Sequence, residues 1–288
     1  MRPLGVNTWV WLSPLTDDDV DRVLDHVAEL GFDAVELPLE KAGDLSPDRV
    51  RAALDRTGLI PCVVGAMGAG HDLLRPEYAP ETRDYLRACV DFAATIGASS
   101  VCGPFYSATG RVWAMDPDER QRAYGQWREA LAPVVEHATG AGVRLGIEPL
   151  NRYETSLVNT VDQALTGLDG LLGHGLGLAL DTYHLNIEER SSASAIRAAG
   201  RHLVHMQVCG NDRGAPGGDQ TWWTEIVGAL DEVDYRGPLV IESFAAGNQT
   251  IATAASIWRP LAPTQDDLAR EGLTFLRDLT SSSTGGIA

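Results

Sequence analysis

Lysine is nearly missing from this chain. Lys41 is the only one in 288 residues, and it lies in a polar connection between Glu40 and Asp44. Schiff-base chemistry needs a lysine in a buried pocket, so that class of reaction drops out. Positive charge is scarce altogether: 23 basic residues face 40 acidic ones, for a net charge of −17. So acidic a surface repels phosphate backbones and anionic lipid, and neither a nucleic-acid nor a membrane partner is expected. No apolar run approaches the ~20 residues of a membrane span. The N-terminus enters structured sequence without an apolar signal segment, which fits a cytoplasmic protein. Cysteine is limited to Cys62, Cys89, Cys102 and Cys209, with no CxxC pair, the usage of reduced thiols. Cys102 and Cys209 have no neighbouring base in sequence, which argues against a thiol nucleophile.

What is present is a core-forming composition, 44% apolar and 22% charged, arranged as an alternation. Short apolar runs at Leu4–Thr8, Ala34–Leu37, Ile60–Gly65, Ser100–Gly103, Arg144–Glu148, Leu176–Asp181, Leu203–Val208 and Leu239–Glu242 read as strands buried on both faces. Between them, apolar residues recur at helical spacing over Asp18–Leu30, Ala79–Ile96, Pro117–Ala141, Val161–Leu172, Ala193–Gly200, Thr224–Val233 and Gln265–Leu279. Eight strand–helix units in this length predict an α/β chain folded as a single (β/α)8 TIM barrel. The rival doubly wound sheet lacks its Gly-rich phosphate fingerprint after the first strand. No interior linker is visible, so residues 1–280 form one domain and the small polar residues 281–288 a flexible tail. The stretch Phe244–Pro263 is a long connection that suggests a lid or a subunit contact.

Reactive groups in such a barrel project from the C-terminal ends of the strands. Strand five ends in Glu148, strand six in Asp181 and strand eight in Glu242, while strand seven carries His205 and Gln207 on one face. One such carboxylate alone is as readily a loop cap or an arginine partner. Four metal-competent side chains on four consecutive strands are a different matter, because three converging carboxylates repel one another unless a cation joins them. The oxygen-rich set suits a hard divalent ion, Mn²⁺ first, with Mg²⁺ or Co²⁺ as alternatives. Trp9, Trp11, Tyr106 and Trp113 follow early strands and read equally as pocket wall and as plain packing. Glu36 reads equally as inward-facing and as a loop partner.

The runs Glu148-Pro149-Leu150-Asn151-Arg152-Tyr153-Glu154-Thr155, Asp181-Thr182-Tyr183-His184-Leu185-Asn186 and Ile241-Glu242-Ser243-Phe244 resemble the ketose 3-epimerase group (D-tagatose, D-allulose and L-ribulose 3-epimerases) of the xylose-isomerase-like barrels. The resemblance extends from Gly5-Val6-Asn7-Thr8-Trp9 through Gly103-Pro104-Phe105-Tyr106 to Trp258-Arg259-Pro260. It implies that Glu148, Asp181 and Glu242 are metal ligands, with Glu148 and Glu242 doubling as the acid/base pair. It also implies that Glu154, His184 and Arg213 hold the substrate and that Phe244 packs on the sugar, and Trp113 is kept as a further substrate-binding candidate. One position departs from the family pattern, a His-x-His pair with an arginine six residues after its second histidine. Counting back six from Arg213 reaches Gln207, so an amide oxygen takes that ligand slot and His205 stands as its alternate.

The function these readings imply is epimerisation or isomerisation of a small carbohydrate, by proton abstraction beside a carbonyl through a metal-held enediolate. An alternative uses the same enolising groups as a lyase on 3-keto C- or O-glycosides, by β-elimination and with a small partner subunit. A third reading is a catalytically silent sugar-binding homologue, which the presence of both glutamates argues against. For the epimerase reading a homo-oligomer is the expected state.

Overall fold

Each short apolar run becomes a parallel strand, and the eight strands close on themselves in chain order. A computed structural model describes residues 2–282. The strands are β1 (Leu4–Asn7), β2 (Ala34–Leu39), β3 (Ile60–Gly65), β4 (Ser100–Gly103), β5 (Arg144–Ile147), β6 (Leu176–Asp181), β7 (Leu203–Val208) and β8 (Leu239–Ile241). β1 pairs with both β2 and β8, which closes the barrel. The expected (β/α)8 architecture is therefore the one present. Close packing inside the barrel demands small residues: a Cβ added to Gly146 would stand 2.8 Å from Cys102 Sγ and 3.2 Å from Ala179 Cβ. Glycine here is a matter of space.

The helices are α1 (Asp17–Leu30), α2 (Pro47–Thr57), α3 (Ala79–Ile96), α4 (Pro117–Ala141), α5 (Val161–Gly167), α6 (Thr182–Glu188), α7 (Ser192–Ala199), α8 (Trp223–Glu232), α9 (Gln249–Ala254) and α10 (Gln265–Ser282). α1 shows how they form. Three acidic residues occupy its first turn, Val20, Val23, Leu24, Val27 and Leu30 are buried at three- and four-residue spacing, and Gly31 ends it at φ 91°. α4 opens with a reciprocal capping box between Asp116 and Glu119.

Three helices exceed the sequence expectation. α2 buries only Val50, Ala53 and Leu54, too narrow an apolar stripe to stand out. α6 starts directly on β6, with Asp181 as both last strand residue and N-cap. α9 lies within the long connection after β8, where Phe244, Ile251 and Ile257 pack with Trp9 and Val64 as a second apolar cluster over the barrel mouth. At the C-terminus α10 continues through Ser281 and Ser282, which the sequence reading assigned to the tail; 283–288 lie outside the described residues. Among the described residues no helix is long and apolar enough to cross a membrane.

Candidate active site

Glu148 follows β5, Asp181 ends β6, Gln207 lies on β7 and Glu242 follows β8. The register places Asp181 beside Gln207 and Gln207 beside Val240, two residues before Glu242. All four residues are buried. Glu148 and Glu242 line the floor of a cleft of about 550 Å³ at the C-terminal end of the barrel, with Asp181 joined to it through Arg213 and Gln207 through Glu242. Its walls include Glu148, Glu154, His184, Arg213, Glu242 and Phe244, together with Trp9, Val64, Met67 and Ile251.

Arg213 is the electrostatic centre of the floor. Its Nη1 donates to Asp181 Oδ2 and, at 2.9 Å, to Glu242 Oε2, so one guanidinium joins two strand-end carboxylates. Burial works against its charge, but Asp181, Cys209 and Glu242 outweigh it and hold its pKa well above the ordinary value. The guanidinium also lies 4.0 Å from the Tyr183 ring centre and 5.2 Å from that of Phe244. Its backbone is left-handed, φ 70°, a conformation that costs a non-glycine residue energy and recurs at functional sites.

The carboxyl groups of the proposed acid/base pair are both shifted upward. Burial pushes Glu148 well above the usual carboxylate range, the charges of Glu242 and Asp181 push the same way, and Arg213 opposes them. Burial likewise raises Glu242, with Arg213 pulling it back and Asp181 and Glu36 adding to the rise. His184 is held below its ordinary pKa by burial and then by Arg213. The Asn151 backbone N–H donates to His184 Nδ1 at 3.0 Å, while Nε2 lies 3.2 Å from Arg213 Nη2 and 3.5 Å from Glu148 Oε1. Asn151 also fixes Glu154, donating from Nδ2 to Oε1 at 2.7 Å. Tyr106 donates its hydroxyl to the Glu148 carbonyl at 3.0 Å, bracing the same loop.

The donor set fits a hard divalent ion. Donor atoms of Glu148, Asp181 and His184 all lie within 4.8 Å of one another. Gln207 Oε1 is buried without a hydrogen-bond partner among the described residues, and such an orphaned carbonyl oxygen is an oxygen donor in search of a cation. His205, the alternate ligand, is buried elsewhere, its Nε2 2.6 Å from Glu36 Oε1. Sequence reasoning placed His184 on the substrate alone; its position beside two carboxylates gives it a second possible role.

Of the aromatic candidates, Trp9 lines the cleft and donates from Nε1 to Glu40 at 3.0 Å. Trp113 is off the cleft lining, 4.2 Å beneath the Arg111 guanidinium, which pairs with buried Asp72. Trp11 donates to Asp266 instead. Sequence reasoning missed Glu40 and His71, which line the cleft opposite the carboxylates. Glu40 directly follows β2 after Leu37-Pro38-Leu39, so the strand-end pattern was present but the run reads as ending at Leu37; His71 follows no apolar run. Glu36, left open, points inward and is fully buried.

Residues 24–279 match the xylose isomerase-like TIM barrel family. A probable ketose 3-epimerase of Synechocystis sp. is 30% identical over 275 residues, 95% of each chain. The ketose 3-epimerase of Arthrobacter globiformis is 29% identical over 286 residues, 98% of each. The crystal structure of D-allulose 3-epimerase from Methylomonas sp. in complex with D-allulose superposes with a TM-score of 0.88 at 27% identity, covering 96% of this chain and 98% of that one. The chain thus belongs to the xylose isomerase-like TIM barrel family and, within it, to the ketose 3-epimerases, carbohydrate epimerases of the isomerase class.

Proposed function

We propose that this protein inverts the carbon next to the carbonyl of a free ketose, position 3, with Glu148 and Glu242 exchanging the proton and a divalent ion in attendance. The observation that carries the reading is the pair of buried, upward-shifted carboxyl groups at the floor of one cleft, beside an orphaned amide oxygen. Glu148, Asp181, Gln207 and Glu242 would hold the ion, which when bound supplies Lewis acidity toward the substrate's carbonyl and neighbouring hydroxyl oxygens.

The chain's own groups perform the rest. One glutamate, as carboxylate, takes the proton from carbon 3, and the electron pair of that C–H bond passes into a planar enediolate. The other, as carboxylic acid, returns a proton to the opposite face, so one proton is taken and one is given. The exchange needs each group protonated in one half of the cycle and ionised in the other, and the upward shift that burial gives both carboxyls favours the protonated form each must adopt. Arg213 and His184 face the same floor and can orient the substrate's oxygens. Phe244, 5.6 Å from Trp9 between ring centres, offers the sugar's C–H face an apolar wall.

Mn²⁺ as the metal, a homo-oligomer and a cytoplasmic location belong to the same proposal. Exposed aromatic residues Tyr153, Trp222 and Trp258 on loops after strand ends support the oligomer. Four free, buried cysteines support a reducing compartment. The test is a panel of ketoses, with 3-keto glycosides alongside, assayed with Mn²⁺ and after chelation. Epimerisation of a ketose that chelation abolishes is the expected result; release of an aglycone with inert free ketoses would replace this reading with the lyase.

A further inference from the structure

Beneath the cleft floor lies a polar group the reaction does not use. Glu36 on β2 is fully buried in the barrel interior, among small and apolar strand residues. A buried carboxylate is costly unless its oxygens are engaged, and Oε2 is engaged twice, while Oε1 has no hydrogen-bond partner among the described residues. Asn7 Nδ2 donates to Oε2 at 2.7 Å, and Gln207 Nε2 donates to the same oxygen at 2.8 Å. His205 Nε2 stands 2.6 Å from Oε1. Asn7 has no freedom to turn, because its Oδ1 accepts the Trp9 backbone N–H at 2.8 Å.

The consequence falls on Gln207. A primary amide carries two N–H donors and one carbonyl acceptor, whereas a carboxylate only accepts. Gln207 Nε2 faces two carboxylates at once, Glu36 from below and Glu242 Oε1 at 2.7 Å from the side. Both N–H bonds are spoken for, and reversing the amide would set its carbonyl against two acceptor oxygens. The carbonyl oxygen is thereby left over, buried and without a partner among the described residues.

We infer that Glu36 is a positioning residue: by anchoring the Gln207 amino group it turns Gln207 Oε1 toward the ion site and makes an amide serve as ligand. The inference rests on the metal-dependent reading above and extends it to a residue outside the site. A glutamine that could rotate would offer the ion its amino end half the time. Partners that orient a ligand from behind typically change metal affinity ~10–100-fold when removed.

The experiment is a double-mutant cycle on Mn²⁺ affinity, by isothermal titration calorimetry of the full chain. Glu36→Gln keeps the side-chain shape and removes the acceptor-only carboxylate. It should weaken Mn²⁺ binding ~10-fold or more in the wild-type background and less than ~2-fold in a Gln207→Ala background, because its effect passes through the amide. Melting temperatures of the metal-free variants check folding. If Glu36→Gln fails to fold, Glu36→Asp, which withdraws the same charge by one methylene, is read in the same cycle. Equal losses in both backgrounds, or no loss in the wild-type background, would overturn the inference. Failure of the wild-type protein to bind Mn²⁺ at all would instead overturn the metal-dependent reading on which it stands.

Discussion

Replacing Arg213 by Met tests how the strand-end carboxylates are held together. Met keeps much of the side-chain volume and removes the charge that joins Asp181 to Glu242. Removing one partner of a buried pair strands the other charge and costs about 3–5 kcal/mol. At about 2 °C per kcal/mol for a chain of this size, the metal-free melting temperature should fall by roughly 6–10 °C. The loss should grow with pH, because below its raised pKa the stranded Glu242 carboxyl can take up a proton instead. Saturating Mn²⁺ supplies a replacement cation, so the loss between wild type and variant should shrink to less than about half. Scanning fluorimetry with and without Mn²⁺ reads both quantities. An equal loss in the two conditions would refute the argument that Arg213 and the ion answer the same electrostatic demand.

Gln207→His exchanges an oxygen ligand for imidazole, so calorimetry should show Zn²⁺ gaining on Mn²⁺ in relative affinity; an unchanged ratio means that Gln207 is not a ligand. In the metal-free protein Glu148 and Glu242 hold protons more tightly folded than unfolded. Their contribution to stability is therefore full below the ordinary carboxylate range and lost as pH rises through the raised values. Metal displaces those protons, so the melting-temperature gain on adding Mn²⁺ should be larger at pH ~8 than at pH ~5.5, and a gain that shrinks with pH contradicts the assignment. Phe244→Ala should raise KM several-fold with a smaller effect on kcat, whereas Trp113→Ala, off the cleft, should leave kcat/KM within roughly two-fold in steady-state assays. The reverse ranking would return Trp113 to the substrate.

The barrel was legible because each buried parallel strand is a continuous apolar run with sharp ends. β3, β4, β6 and β7 begin and end at the residues where the apolar runs do. The metal-competent side chains were legible for the same reason: a carboxylate closing a run such as Leu-Gly-Ile-Glu148 interrupts a core pattern. Glu36 interrupts β2 in the same way, but its orientation depends on the partners it meets across the barrel, His205 and Gln207, some 170 residues distant in sequence. Glu40 directly follows β2 and was missed because Pro38 makes the apolar run read as ending at Leu37, whereas His71 sits on an irregular loop, where side-chain direction follows tertiary packing rather than any period. α9 was hidden because six residues give too few turns for an apolar stripe to repeat.

The most direct test of the two-glutamate mechanism is solvent deuterium exchange during ketose turnover, with Glu148→Gln and Glu242→Gln compared after their metal content is matched to wild type. A neutral amide cannot accept the proton, so each variant should lose epimerisation. One should still wash out the proton of one epimer, and the other that of the epimer inverted at the same carbon. A metal-loaded variant that keeps near-full turnover would contradict proton transfer by two glutamates from opposite faces.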